Sequence, residues 1–314
     1  MEQEMAYVYT VYQEGSVSKA AEKLFISQPA LSIAIRRVES RLNSVLFDRS
    51  QYPLKLTNVG ELYIQKYHEI KLLEKELASQ INDIHELNQG ELVIGGTHFI
   101  LSYVLAPVLS AFSSRYPNIV IRLYECSSSQ LESLLTNGNI DLCLKCDNCT
   151  APSMVPIDDA FRDHLLMAVP KAYVQEFNLP DVWLTLDMVK NNMHLNGQTP
   201  CIDIQHLAKL PYLVLTAGNN LRERFIELFD HSGIKPNIKM QIEQIATAYH
   251  LADNGMGATL TSEMIIKNNT CHNLVFYLID SPLMIRDFKV IGRHKRYISN
   301  ANAKFIQMLK EHYF

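Results

Sequence analysis

The chain has 314 residues, of which 47% are hydrophobic and 20% are charged. At roughly 150 residues per domain, this length predicts about two globular domains. Apolar runs such as Leu142–Leu144 are far shorter than the roughly 18 residues of a spanning helix, which excludes an integral membrane protein. The acidic start Met1–Glu4 lacks the features of a secretory signal, and six cysteines are too few for a disulfide scaffold. We therefore expect a cytoplasmic protein.

Charge is distributed unevenly along the chain. The formal net charge is −4, yet residues 15–57 hold seven Lys or Arg and only three Asp or Glu, a net +4 that leaves −8 for the rest. A small basic segment joined to a larger acidic body indicates that one end binds a polyanion. On charge alone, a solvated surface of mixed charge remains an equal alternative.

The first recognisable pattern is helix, tight turn, helix. Ser18 is the expected N-cap of the first helix, and Ala20–Ala21 provide the small side chains that a close helix crossing needs. We expect Phe25–Ile26 to fill the corner between the helices. Ser27 can cap the second helix, and Pro29 fits its first turn because the N–H that proline lacks has no helical partner there.

The second helix has one apolar and one free face. At 100° per residue, one side holds Leu31, Ile35, Val38 and Leu42, and the other holds Pro29, Ile33, Arg36, Arg37 and Ser40. Arginines hold phosphates, and polar side chains such as those of Gln28 and Ser32 read base edges, so the free face predicts a reader of the DNA major groove. An ordinary surface helix with exposed arginines is the alternative.

Residues 46–57 predict two short strands around a polar turn, a wing with Arg49 and Lys55 beside its tip. Thr57 is the expected cap of the helix that follows. The residues that we expect to contact DNA are Ser27, Gln28, Pro29, Ser32, Ile33, Arg36, Arg37, Arg49 and Lys55.

A family resemblance rests on five runs in fixed order: Ala20–Ala21, Ser27–Ser32, Arg36–Glu39, Leu46–Arg49 and Leu56–Gly60. They closely resemble the N-terminal domain of LysR-type transcriptional regulators, which implies a winged helix-turn-helix in residues 1–57.

This chain departs from the family pattern at three positions. Ile33 and Ala34 replace positions that are often polar or basic in the family, and Tyr52 replaces a common wing arginine. An apolar Ile33 favours contact with thymine methyl groups over hydrogen-bonded readout.

Residues 58–89 predict a long linker helix that reaches about Asn88, roughly 45 Å at 1.5 Å per residue. Its apolar seam consists of Ile70, Leu73, Leu77, Ile84 and Leu87, with Gln80 among them. Such a seam favours a dimer interface over a buried core helix, since a helix this long would extend beyond a compact domain. The resemblance implies an antiparallel helix pair, a tetramer built from dimers, and a partly palindromic double-stranded DNA site.

Residues 90–314 predict an α/β body. Strands at 92–95, 119–124 and 140–144 alternate with helices at 101–115 and 130–137, a βαβαβ pattern that predicts a buried parallel sheet. A second series has strands near 165–169, 213–215, 238–242 and 258–260 with helices at 221–231 and 246–253. Strands near 274–278 and 288–291 and a helix near 302–311 follow.

The same region resembles the family's effector-binding domain, a two-lobed fold like that of periplasmic binding proteins. The motifs that carry this looser resemblance include Arg115–Pro117, Gly138–Leu142 and Gly255–Gly257. We expect lobe I to comprise residues 90–161 and 269–314 and lobe II to comprise residues 162–268, with crossings near Phe161–Asp163 and Lys267–Thr270.

A small-molecule site is expected beyond the carboxyl ends of the strands, where helix N-termini offer N–H groups to an anion. The candidate effector-binding residues are Thr97, His98, Ser127, Ser128, Thr216, Asn219 and Gln244. They suit a small carboxylate, an amino acid or a keto acid, and no other cofactor is expected. Ser127 and Asn219 could instead only cap their helices.

The run of Cys143, Cys146 and Cys149 raises a metal- or redox-sensing alternative, with Cys126 or His98 as a fourth ligand. Against it, a cysteine in a buried strand such as Cys143 is commonly a small hydrophobic residue. The sequence contains no nucleophile elbow, phosphate-binding loop, dinucleotide fingerprint or zinc-protease motif, so we do not expect an enzyme. A ligand-binding module without DNA binding is the third alternative, and residues 15–57 argue against it.

Overall fold

The computed structural model describes residues 2–84, 90–146, 154–294 and 297–313. The chain divides into two compact units, Met1–Ile81 and Asn82–Phe314. Among the described residues, no helix combines the length and the hydropathy that crossing a membrane requires.

The N-terminal unit is a helical domain with a two-stranded wing. Its elements are α1 (Glu2–Glu14), α2 (Val17–Lys23), α3 (Gln28–Leu42), β1 (Phe47–Asp48), β2 (Lys55–Leu56) and α4 (Asn58–Ile84). Leu31, Ile35 and Val38 on one face of α3 are buried with Val8, Val11 and Leu46. The strands β1 and β2 are antiparallel, as the wing pattern predicts.

Three local expectations for this unit are wrong. Ser16, not Ser18, caps α2: its backbone is extended and its side chain accepts a hydrogen bond from the Lys19 N–H. Phe25 does not fill the corner; its backbone adopts a φ of 54° in the turn, and its side chain is 95% exposed. Leu42 is 41% exposed because it is the last residue of α3, beyond the buried crossing.

Thr57 connects the wing to α4. Its Oγ1 accepts a hydrogen bond from the Gly60 N–H at 3.0 Å and donates one to the Val45 carbonyl at 2.7 Å. Gly60 is required here because a Cβ at this position would lie 2.1 Å from the Leu46 carbonyl oxygen. The predicted N-cap is therefore present, and a close backbone approach accompanies it.

The C-terminal unit begins with the predicted βαβαβ pattern. Its elements are β3 (Gly90–Gly96), a π-helix (Ile100–Leu105), α5 (Ala106–Arg115), β4 (Ile119–Glu125), α6 (Ser128–Thr136) and β5 (Leu142–Cys146). Both β4 and β5 are parallel to β3. The expectation of a buried sheet is wrong for β4, which forms the sheet edge and exposes Val120, Leu123 and Tyr124.

The rest of this unit follows in chain order. Its elements are β6 (Met154–Pro170), α7 (Lys171–Glu176), α8 (Leu186–Lys190), β7 (Pro211–Leu215), α9 (Asn220–Asp230), β8 (Asn237–Ile242), α10 (Ile245–Asp253), β9 (Thr259–Ser262), α11 (Glu263–Asn268), β10 (Leu274–Tyr277), β11 (Ile285–Arg293) and α12 (Asn300–Tyr313). Short 3₁₀ helices occupy Met193–Leu195, Ile204–Leu207 and Pro282–Met284.

The long strand β6 connects two groups of strands. Its first part, up to His164, pairs with β11, and its last part, from Leu165, pairs with β9 and β10. The sequence predicted only the last part, because register shifts and adjacent acidic residues interrupt the alternation in the first. The change of partner falls just after the crossing that we placed at Phe161–Asp163.

The second crossing lies later in the chain than the sequence analysis placed it. β10 pairs with Met167–Pro170 of β6, so residues up to Tyr277 belong with lobe II. The chain rejoins lobe I at Ile285, where β11 begins, and not near Lys267–Thr270. The residues of β10 and β11 are typical of strands, but they do not reveal which neighbour each strand pairs with.

Candidate nucleic-acid interface and ligand cavity

One face of α3 is exposed to solvent. Gln28, Pro29, Ile33, Arg36 and Arg37 are all exposed, while Ser32 is half-buried. This is the arrangement that the periodicity predicts, because the opposite face packs into the core of the unit.

The cap of α3 is also the predicted one. The backbone of Ser27 is extended, and its Oγ accepts a hydrogen bond from the Ala30 N–H at 3.4 Å, with Pro29 in the first turn. Ser27 is exposed, so its hydroxyl lies at the same end of the free face as Gln28.

The two basic wing residues differ in their surroundings. Arg49 donates to the buried carboxylate of Glu39 at 3.0 Å, and the same carboxylate accepts the Leu46 N–H at 2.9 Å. Arg49 therefore joins the wing to α3 in addition to its expected role toward DNA, although about half of its side chain stays exposed. Lys55, on the other wing strand, is exposed.

Sequence reasoning missed one feature beside α3. Phe25 is almost fully exposed in the turn that precedes this helix. Hydrophobic periodicity does not extend through a short turn, so the sequence does not indicate whether an apolar turn residue points inward. No sequence pattern therefore predicted that Phe25 is exposed. Tyr52 in the wing is also exposed, in place of the arginine common in the family.

The apolar seam of α4 is largely uncovered within a single chain. Leu73 and Leu77 are 56% and 59% exposed, and Ile70 and Gln80 are half-buried. The side chain of Ile84, and Leu87 with Asn88, lie outside the described residues. Leucine side chains exposed along one stripe of a long helix are typical of a helix that pairs with a partner.

The C-terminal unit contains a cavity of about 350 Å³, a size within the usual range for small-molecule sites. Of the predicted residues, Thr97, Ser128, Asn219 and Gln244 line it. The first turns of α6, α9 and α10 thus meet at one cavity, and the N–H groups of a helix's first turn have no partner within the helix.

The other three predicted residues lie outside the lining of this cavity. Ser127 is occupied by a capping box with Gln130, so the capping interpretation holds for it. The His98 Nδ1 lies 3.5 Å from a carboxylate oxygen of Glu125. The Thr216 N–H donates to the Ile242 carbonyl at 3.0 Å and extends the pairing of β7 with β8.

Charged side chains that the sequence analysis did not select also line the cavity. They are the carboxylates of Glu132, Glu223 and Glu243 and the cations of Lys145 and Arg286. Glu223 lies on the first turn of α9 and Glu243 lies just before α10, so the rule that selected polar residues after strands could have included these two. Glu132 lies beyond the first turn of α6. Arg286 belongs to β11, which no motif connected to this site.

Arg286 is a buried cation in the cavity wall. Its guanidinium lies 5.1 Å from the ring centre of Phe99 and 5.0 Å from that of Phe288. Its Nε donates to Asp163 at 2.9 Å, and the Ser262 hydroxyl donates to the same carboxylate at 2.6 Å. Burial raises the pKa of Asp163, and Arg286 and Ser262 act in the opposite direction. The ion pair holds the guanidinium in a fixed position.

The two described cysteines of the run, Cys143 and Cys146, do not share a metal site. Cys143 packs with Val93 and Leu131 in one core cluster, whereas Cys146 belongs to the main cluster and lines the cavity. Residues three apart on a strand point to opposite faces, so these two thiols cannot share an ion. Cys149 lies outside the described residues.

Sequence profiles of two families match almost the entire chain. The family of bacterial regulatory helix-turn-helix proteins, lysR family, matches residues 3–61, and the LysR substrate binding domain matches residues 85–313. The chain belongs to the LysR family of transcriptional regulators. This LysR-family protein is thus a DNA-binding transcription regulator with a C-terminal effector-binding domain, which confirms the predicted fold class and function.

Similar proteins agree with this assignment. The regulator is 28% identical to YcgK of Bacillus subtilis (strain 168), an uncharacterized HTH-type transcriptional regulator, over 98% of this chain and 93% of YcgK. It is 27% identical to a probable RuBisCO transcriptional regulator of Cyanidioschyzon merolae, over 94% and 93% of the two chains. Full-length CbnR complexed with its target DNA has the same fold, with a TM-score of 0.65, 19% identity and 99% coverage of both chains.

Proposed function

We propose that this regulator binds its operator through the exposed face of α3 and the wing, and that an amino acid in the C-terminal cavity controls that binding. The observation that carries the proposal is the charge of the cavity wall, where three glutamates and two cations surround the first turns of three helices. The regulator acts on double-stranded DNA in the cytoplasm and performs no catalysis.

The helix ends supply the site for a ligand carboxylate. Thr97, Ser128 and Asn219 line the cavity where α6 and α9 begin, and helix N-termini attract anions. Lys145 adds a cation to the same wall. These groups account for a carboxylate and would serve an amino acid and a keto acid equally well.

The glutamates favour an amino acid over a keto acid. Glu132, Glu223 and Glu243 line the cavity, whereas the charge of Arg286 is already balanced by Asp163. A ligand that carries only negative charge would leave these carboxylates facing a like charge, which is unfavourable. An ammonium group on the ligand compensates them.

The ligand class is tested by thermal-shift measurements with single amino acids and with the keto acid that corresponds to each. We expect one or a few amino acids to raise the melting temperature and their keto acids to do so far less. The double variant Glu223→Gln/Glu243→Gln and the variant Thr97→Val should lose this stabilisation, and Glu227→Gln, on an exposed part of α9, should retain it. Equal stabilisation by a keto acid, or an unchanged response of the glutamate variant, would remove the amino acid from the proposal.

The DNA surface is tested by a gel shift with the protein's own upstream region across a range of salt. Arg36→Ala and Arg37→Ala should each weaken binding and reduce the slope of log K against log salt by about 0.9 per lost phosphate contact. Arg41→Ala is the matched control, because Arg41 pairs with Glu4 at 2.9 Å. Operator affinity that is unaffected by the first two substitutions would refute the role of this surface.

The proposed assembly is a dimer through the α4 seam, with dimers joining into a tetramer on a partly palindromic site. The exposed Leu73 and Leu77 support the dimer, and CbnR bound to its target DNA supports the mode of binding. An effector that binds one arrangement of the assembly better than another shifts the equilibrium by at most that affinity difference.

A further inference from the structure

Two histidines and a glutamate form a tight cluster outside the ligand cavity. His164 lies on β6, His194 on the 3₁₀ helix Met193–Leu195, and Glu263 is the first residue of α11. The His164 Nδ1 lies 2.9 Å from Glu263 Oε1, and the His194 Nε2 lies 2.8 Å from Glu263 Oε2. One ligand atom from each of the three residues lies within 4.8 Å of the others.

The cluster is held rigidly but is open on one side. The side chains of His194 and Glu263 are 0% and 4% exposed, so packing fixes both donors. His164 is 25% exposed and provides a path from solvent. Rigid donors with one accessible edge are what a metal site needs for a defined geometry and for entry of the ion.

We propose that His164, His194 and Glu263 bind a divalent transition-metal ion, with Zn²⁺ as the best match. Two imidazole nitrogens and one carboxylate oxygen are a common zinc donor set, and they leave a fourth tetrahedral position for water. The three ligands come from segments far apart in the chain, so the bound ion would cross-link β6, the 3₁₀ helix and α11.

The protonation states of the ligands are compatible with the ion. Burial opposes ionisation of Glu263, but hydrogen bonds from His164, His194 and Lys267 outweigh it and lower its pKa. Without the ion, the His194 Nε2–H donates to Glu263. Metal binding at Nε2 places the ring proton on Nδ1, which is buried and has no hydrogen-bond partner in the described part of the chain.

Lys267 is the competitor of the ion. Its ammonium pairs with Glu263 Oε2 from the next turn of α11, and its side chain is 27% exposed. Metal binding requires this ammonium to leave the carboxylate and move into solvent. If the cluster were only an ion-pair network, Lys267 would be a structural partner and no ion would bind.

Calorimetric titration of the metal-stripped full-length protein with Zn²⁺ tests the site. We expect one site per chain that is weakened at least tenfold by His164→Gln and by His194→Gln. Lys267→Gln should tighten binding severalfold, because it removes the competing cation. The matched control His206→Gln, at an exposed histidine of another 3₁₀ helix, should bind as the unaltered protein does.

Cobalt substitution separates this site from the cysteines. The Co²⁺-loaded protein should show tetrahedral ligand-field bands without the intense thiolate charge-transfer band of a cysteine site. A thiolate band, unchanged Zn²⁺ affinity in His164→Gln, or weaker binding in Lys267→Gln would each overturn the proposal. The variants at His164 and Lys267 keep the test decisive even if His194→Gln fails to fold, because both side chains are partly exposed.

Discussion

Replacing Arg286 by methionine should strongly destabilise the C-terminal unit. Methionine keeps an unbranched apolar side chain beside the rings of Phe99 and Phe288 but removes the guanidinium from Asp163. Asp163 is fully buried, and within the described residues the other donor to its carboxylate is the Ser262 hydroxyl. Leaving a buried charge without its partner costs about 3–5 kcal/mol. At roughly 2–4 °C per kcal/mol for a unit of this size, the melting temperature should fall by about 6–20 °C.

The assay is urea unfolding of the single variants Arg286→Met and Asp163→Asn and of the double variant. We expect the double variant to be more stable than Arg286→Met, with a coupling energy of at least about 2 kcal/mol, because neither charge is then left alone. The loss of unfolding free energy in Arg286→Met should also become smaller as the pH falls. Because burial raises the pKa of Asp163, the native state binds the proton more tightly than the unfolded state does. Protonation then removes the unpaired charge.

Two results would refute this reasoning. One is a loss below about 1 kcal/mol in Arg286→Met, which is the range of an exposed ion pair. The other is a double variant as unstable as the sum of the two single variants. Either would mean that Asp163 does not hold the cation in the cavity wall.

Three further predictions concern the seam of the linker helix, the close approach of Gly60 to Leu46, and the stability of the protein at acidic pH. Leu77→Asp should yield monomers in sedimentation, whereas Ala78→Asp, on an exposed neighbouring position, should remain dimeric. Gly60→Ala should destabilise the N-terminal unit by about 1–3 kcal/mol in urea, because its Cβ would meet the Leu46 carbonyl at 2.1 Å. The lowered pKa of Glu263 means that its ionised form stabilises the fold above the ordinary glutamate pKa. This contribution should fade between about pH 5 and pH 2, and Glu263→Gln should flatten that part of the stability curve.

Four of the seven effector-binding residues predicted from the sequence line the cavity. Thr97, Ser128, Asn219 and Gln244 were found because each follows a strand and begins or precedes a helix, and such positions collect at one edge of a parallel sheet. The rule failed for Thr216, whose backbone extends the pairing of two strands. Position after a strand indicates the edge of the sheet but not which way a side chain points.

The sequence by itself determined the features that arise within a few residues. The cap of α3 at Ser27, its buried and exposed faces and the turn of the wing follow from hydrogen bonds and periodicities that span one or two turns. The same local rules placed the cap of α2 at the wrong serine, because Ser16 and Ser18 are both residue types that cap helices and the structure starts α2 at Val17.

Only the tertiary structure decided which distant residues meet. Asp163 and Arg286 are 123 positions apart, and His194 and Glu263 are 69 apart. No periodicity encodes such pairs, since their contact depends on which strands become neighbours across β6. The charged wall of the cavity and the histidine cluster thus exist because the chain brings these segments together, where burial makes each uncompensated charge costly and its partner necessary.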